Sequence, residues 1–302
     1  MPVLAIGFFV VAGYQIIVSM AATPASDEDK SSKTTAQTIK PRACPPLPAY
    51  PDENCTGVPA DAKLKKCVFK NLPSEVYDAC EFSGTIWVTA PDITIKNSRI
   101  KGVLQGDGAA NLRLQLVDVE IDGQNSVYDG VQNIQGYTCT RCHVHNAARG
   151  FSGTAFTIID SYVHSLYGTS KSHNETILGS GGNITVRHSR LYGTWNKASS
   201  GGTMSSAVSF YTHGTYWPPL DKVLFEQNYL RADEGYCLYA GDDPGPSAMH
   251  EVSNVIFRDN VFHVNRTNPK MCGNTGAVTA FYKGNGNVWQ NNRFEDGTPV
   301  NQ

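Results

Sequence analysis

A chain of 302 residues has room for one large domain or two small ones. Its 25 Lys and Arg nearly balance 27 Asp and Glu, for a formal net charge of −2, so no strong field selects a partner. That disfavours a dedicated nucleic-acid binder with its basic bias, while 28 glycines and frequent Asn suit a loop-rich β protein.

Pro2 to Ala22 carries no charged side chain, and the mostly apolar stretch Leu4 to Met20 runs into Ser19-Met-Ala-Ala22. Residues 1–22 therefore read as a secretory signal cleaved near Ala22, although no Lys or Arg precedes the apolar run. A membrane anchor is the weaker alternative, because Tyr14 and Gln15 interrupt the run and a span usually needs about 20 apolar residues. Residues 23–51 read as a linker, first polar and disordered (Ala25 to Thr35), then proline-rich and extended (Pro41 to Pro51).

Eight cysteines follow: Cys44, Cys55, Cys67, Cys80, Cys139, Cys142, Cys237 and Cys272. An even count behind a signal segment implies disulfides, and the four between 44 and 80 are placed to staple an N-terminal cap. Spacing does not fix their connectivity. Cys139-Thr-Arg-Cys142 has the spacing of a redox or zinc pair, but no second pair at zinc spacing accompanies it, which favours a structural role. Asn54, Asn174, Asn183 and Asn265 each open an N-glycosylation triplet.

From residue 93 onward one phrase recurs eight times: apolar, any, apolar, any, a polar anchor, two variable residues, apolar. The anchors are Asn97, Asp118, Arg141, Asp160, His188, Gln227, Asp259 and Asn291. A period near 20 that lengthens in mid-chain marks a solenoid. Alternation with Val, Ile, Phe, Thr and Tyr favours strands. A small amide or carboxylate at the anchor can bend the chain by bonding its own backbone. Strand, bend and second strand give an L-shaped coil, and stacked coils bury a continuous core. The expectation is an all-β parallel β-helix of about 8–10 rungs over residues 52–302, cap included. Asp129 to Gln132, Arg149 to Phe151, Asn174 to Leu178, Ser206 to Phe210, Gly235 to Tyr239 and Gly276 to Ala280 supply a further sheet.

Coils stack about 4.8 Å apart, so equivalent slots form columns. Two residues after the anchor stand Arg99, Glu120, His143, Tyr162, Arg190, Tyr229, Val261 and Arg293; four after stand Lys101, Asp122, His145, His164, Tyr192, Arg231, His263 and Glu295. The middle of these columns is a stripe of His143, His145, Tyr162, His164, Arg190 and Tyr192. Aromatic faces pack on sugar rings and Arg grips carboxylates, so the stripe suits a chain-like acidic ligand. The plainer reading is a solvated face of amphipathic side chains.

Lys171, His173 and Glu175 precede the Asn183 repeat and fall near Arg149 and Asp129 if neighbouring segments stack. A base, an acid and a cation in one cleft could abstract a proton beside a sugar carboxylate. A lone His is more often a loop hydrogen-bonder. Asp242-Asp243 is a candidate calcium pair and equally an ordinary Asp-Asp-Pro-Gly turn. No cofactor is implied otherwise.

Val88 to Gly102, Ile159 to His164, Ser172 to Leu178 and Gly181 to Ser189 together resemble secreted right-handed parallel β-helix proteins of the pectate-lyase-like superfamily. The resemblance spans roughly residues 56–295. It implies a right-handed coil and a secreted enzyme on a polysaccharide such as pectin or alginate, most simply a lyase. The superfamily also holds hydrolases, epimerases and non-enzymatic surface proteins. Where similar sequences carry His-x-Asp-Gly-Ile-Gln, this chain has His173-Asn-Glu-Thr-Ile-Leu178, with the amide replaced by Leu. His173, Glu175, Arg149 and Lys171 are the expected catalytic residues of a monomer that binds neither nucleic acid nor, once the signal is cleaved, membrane.

Overall fold

The computed structural model describes residues 42–108, 112–212, 218–241, 252–265 and 272–302. The signal segment, residues 23–41 of the linker and the Asp242-Asp243 pair lie outside them. Among the described residues the protein is all-β, with 23 strands joined in one long parallel sheet and no helix. This is the arrangement of a solenoid.

The repeat sets the register. Residue pairs such as Leu116↔Cys139, Cys139↔Ile158, Ile158↔Val186, Val186↔Phe225 and Phe225↔Phe257 align the position two before the anchor on a pre-anchor face. On a post-anchor face, Ile100↔Ile121, Ile121↔Val144, Val144↔Val163, Val163↔Leu191, Leu191↔Leu230 and Leu230↔Phe262 do the same. A third face stacks Ile86, Leu104, Val131, Phe151, Ile177, Val208, Leu238 and Val278. Except for Val278, which is half-buried, these side chains are buried, and each Val, Leu, Ile or Phe so placed is worth about 1.5–3 kcal/mol.

All eight anchors lie in the left-handed region, with φ between 46° and 57°. Such values are uncommon outside glycine, and Asn and Asp tolerate them best. The expected bond from anchor to its own backbone is replaced by bonds between coils. Arg141 grips Asp118 through two bonds of 2.8 Å, His188 Nδ1 lies 2.6 Å from Asp160, and Asn291 donates to Asp259 at 3.1 Å. His188 is thus structural, as expected. A ninth bend at Ala79, φ 53°, aligns with Asn97 through the pair Asp78↔Lys96. Ala hides it from a search for polar anchors.

The residue after the anchor is not variable in the way the phrase suggests. It is buried in all eight copies: Val119 and Cys142 occupy it in two, and in the other six it is Ser or Asn, namely Ser98, Ser161, Ser189, Asn228, Asn260 and Asn292. They form a ladder: Ser161 N–H donates to Ser189 Oγ at 3.2 Å, Ser189 N–H to Asn228 Oδ1 at 3.0 Å, Asn228 N–H to Asn260 Oδ1 at 2.9 Å, and Asn260 N–H to Asn292 Oδ1 at 3.1 Å. The amides also donate to the carbonyls of Val186, Phe225 and Phe257, satisfying backbone groups at the bend.

The cysteines pair as Cys44–Cys55, Cys67–Cys80, Cys139–Cys142 and Cys237–Cys272. Four disulfides are compatible with an extracellular protein. The described end of the expected linker, residues 42–51, packs on the coils. Residues 42–57, closed by Cys44–Cys55, form a strap across the anchor corners and the post-anchor face. Arg42 pairs with Asp118 at 3.6 Å, Gly57 N–H donates to Arg141 O at 2.8 Å, and His188 Nε2 and Arg190 Nη2 donate to Ala49 O and Tyr50 O at 3.1 Å. Buried Tyr50 stacks its edge against Tyr229, and the disulfide fixes a segment that its proline content alone would leave extended.

Candidate functional site

The third face carries a charged column two residues before its core stack. Val131↔Phe151 and Phe151↔Ile177 align, which places Asp129, Arg149 and Glu175 on three successive coils. Arg149 Nε donates to Glu175 Oε2 at 2.6 Å and Nη1 to Asp129 Oδ1 at 3.3 Å. Glu175 and Asp129 are 5% and 6% exposed. A buried pair of carboxylates with one cation between them offsets the cost of desolvation only through such bonds.

Glu175 is set by its neighbours. Asn174, fully buried, donates to Ala148 O at 2.6 Å and Tyr167 O at 2.8 Å. Thr176 Oγ donates to Ala207 O at 2.7 Å. The same burial removes Asn174 as a glycan acceptor, whereas Asn54 and Asn183 are exposed.

Burial pushes the Glu175 carboxyl above its ordinary value, and Arg149 opposes it without cancelling it. For Arg149, burial disfavours the charge, but Glu175 and Asp129 outweigh it and the net shift is upward. A carboxylate of raised pKa beside a guanidinium is a poised proton acceptor.

The column borders a cleft of about 410 Å³ lined by Arg149, His173, Glu175, Leu178, Ser209, Tyr211 and Tyr239. The rings of Tyr211 and Tyr239 lie 5.6 Å apart. His173 is an exposed rim residue, fixed by a backbone bridge to Thr203. Lys171 is exposed and absent from the cleft lining, so it does not join Arg149. A turn at residues 170–171 sets it apart from Glu175, which stands two residues before the strand Ile177–Gly179. The sequence pattern marks Ser206 to Phe210 and Gly235 to Tyr239 as sheet segments but gives no sign that Tyr211 and Tyr239 line a common cleft.

The six stripe residues come together as the columns require, through Tyr162↔His143, His164↔His145 and Tyr162↔Arg190. His143 stacks on Tyr162 at 5.4 Å and His145 on His164 at 5.5 Å, and the Arg190 guanidinium lies 5.7 Å and 5.6 Å from the Tyr162 and Tyr192 rings. Burial, with His145 nearby, lowers His143 to about 3 and His164 to about 4. These imidazoles are neutral at neutral pH, so they carry no charge toward an acidic polymer. The strap lies over the first column: a Cβ on Gly57 would sit 2.9 Å from that of His143.

Among the described residues no group of three or more His, Cys, Asp and Glu is arranged to hold a metal ion. Comparisons with protein-family models, curated proteins and solved structures give no significant match to this chain.

Proposed function

We propose that the solenoid is a right-handed parallel β-helix of the pectate-lyase-like type, secreted, with the strap and the Cys67–Cys80 region as its N-terminal cap, and that it cleaves an acidic polysaccharide by β-elimination at the third-face cleft. The observation that carries this reading is the buried Glu175 carboxyl, its pKa raised, held against Arg149 at the floor of a cleft flanked by two tyrosines.

In this reading Tyr211 and Tyr239 pack on sugar rings. Glu175 takes the proton α to the sugar carboxylate, and the electron pair left behind forms the new double bond as the glycosidic C–O bond breaks. Arg149 favours the ionised form of Glu175 against burial and steadies the charge that develops on the substrate carboxylate; its Nη2 takes part in neither of the bonds to Glu175 and Asp129. His173, at the rim, hands a proton to the leaving oxygen. The stripe on the post-anchor face supplies further polymer contacts where the strap leaves it exposed.

The test is incubation of the purified chain with pectin, alginate and their neutral counterparts, read as ultraviolet absorbance of unsaturated sugar ends. Absorbance should rise with the acidic polymers alone. Silence across the panel from a folded protein overturns the reading. A non-catalytic glycan binder is the second reading, favoured by the fact that Arg149 already serves two protein carboxylates. It calls for retention on immobilised polysaccharide with no product. A hydrolase or epimerase would give products without the new double bond.

A further inference from the structure

The strap does not seal the post-anchor face along its length. Beyond Tyr50 a cavity of about 520 Å³ opens between strap and coils, with Tyr50, Tyr229, Asp259, Arg293 and Glu295 in its wall. This is within the range of small-ligand pockets. It lies on a different face from the Glu175 cleft.

Its chemistry is specific. The Tyr50 and Tyr229 rings meet at 5.4 Å and 52°, forming an angled apolar corner. Arg293 is exposed and has no carboxylate partner among the described residues, although its charge reaches the Tyr50 hydroxyl. Asp259 accepts from Asn291, and Glu295 accepts from Tyr229 and pairs with His263 at 3.2 Å. One unpaired cation beside two carboxylates suits a ligand with one carboxylate and several hydroxyls. A phosphate, with its greater charge, would meet Asp259 and Glu295 unfavourably.

The wall is also prearranged. The disulfide closes the strap, and the bonds from His188 to Ala49 O and from Arg190 to Tyr50 O hold Tyr50 in place. Little ordering is left for a ligand to drive.

We infer that this cavity is a second saccharide site, taking an acidic sugar residue against the corner formed by Tyr50 and Tyr229 with its carboxylate on Arg293. The inference does not require the Glu175 cleft to be catalytic.

Hydrogen-exchange mass spectrometry on the full chain locates the site. The probes are a galacturonic acid trimer and a galactose trimer of the same linkage. The acidic trimer should protect the peptides around Tyr50 and Arg293 at a concentration at least tenfold below that needed with the neutral one. Arg293→Gln, an exposed substitution, should remove that preference. Tyr50→Ala should remove protection and Tyr50→Phe should keep it. Glu175→Gln should leave protection here unchanged, and peptides 173–179 report the cleft separately. Protection by both trimers alike, unchanged protection in Arg293→Gln, or none around Tyr50 in the wild type overturns the assignment.

Discussion

His143 and His164, on neighbouring coils, face each other with their Nε2 atoms 2.8 Å apart. One must donate and the other accept, so at least one ring stays neutral. Burial disfavours both charges first and neighbouring imidazoles add to it, taking the pKa values from 6.5 to about 3 and about 4. The unfolded chain therefore binds more protons than the native one below about pH 6.5. Stability from this pair should be complete above that value and should fall as the pH drops toward 4. His188, raised by Asp160, acts in the opposite sense and blunts the slope. Urea unfolding across this window should show the loss, and His143→Gln with His164→Gln should flatten it. A level wild-type profile contradicts the burial argument.

Asn260 fills the gap between Asn228 and Asn292 and also serves Phe225 O. Asn260→Ala leaves buried partners unsatisfied and should cost roughly 3 kcal/mol. Asn260→Ser should cost less, because Ser holds the same slot at Ser161 and Ser189. Urea midpoints at constant slope test the order; equal stability of both variants contradicts the ladder.

Ala79 carries a left-handed bend with no side chain suited to it. Ala79→Asn supplies the residue found at Asn97 and should stabilise by about 0.5–1 kcal/mol, read as a higher thermal midpoint. A lower midpoint contradicts the equivalence of Ala79 and the polar anchors.

In a host that attaches N-glycans, peptide mapping should find sugar on Asn54 and Asn183 and none on Asn174. Asn174 spends its amide on Ala148 and Tyr167 inside the coil. Glycan on Asn174 contradicts the packing that sets Glu175.

Much of this architecture was legible because a solenoid writes its register locally. At the corner between the pre-anchor and post-anchor faces the eight polar anchors mark every bend but that at Ala79, and the two outward columns follow from counting two and four residues onward. Ala79 was missed because a bend needs left-handed φ, and polarity is only its usual sign. The ladder was missed because Ser and Asn look like surface residues; their recurrence in six copies of one slot was the available signal. Arg149 and Glu175 could be paired from stacking alone, whereas Lys171 could not be excluded, since the path of a turn is not periodic. The strap was illegible for a stronger reason. Its position depends on Cys44 finding Cys55 and on contacts with Asp118, His188 and Arg190, far away in sequence.

The role given to Glu175 is tested most directly by comparing wild type with Glu175→Gln on polygalacturonate, measuring the rate of unsaturated product alongside the thermal midpoint. The account predicts a loss of at least about 100-fold in rate with the protein still folded, and a wild-type rate whose acid limb lies above the ordinary carboxyl value of 4.5. Undiminished product release by Glu175→Gln would contradict it.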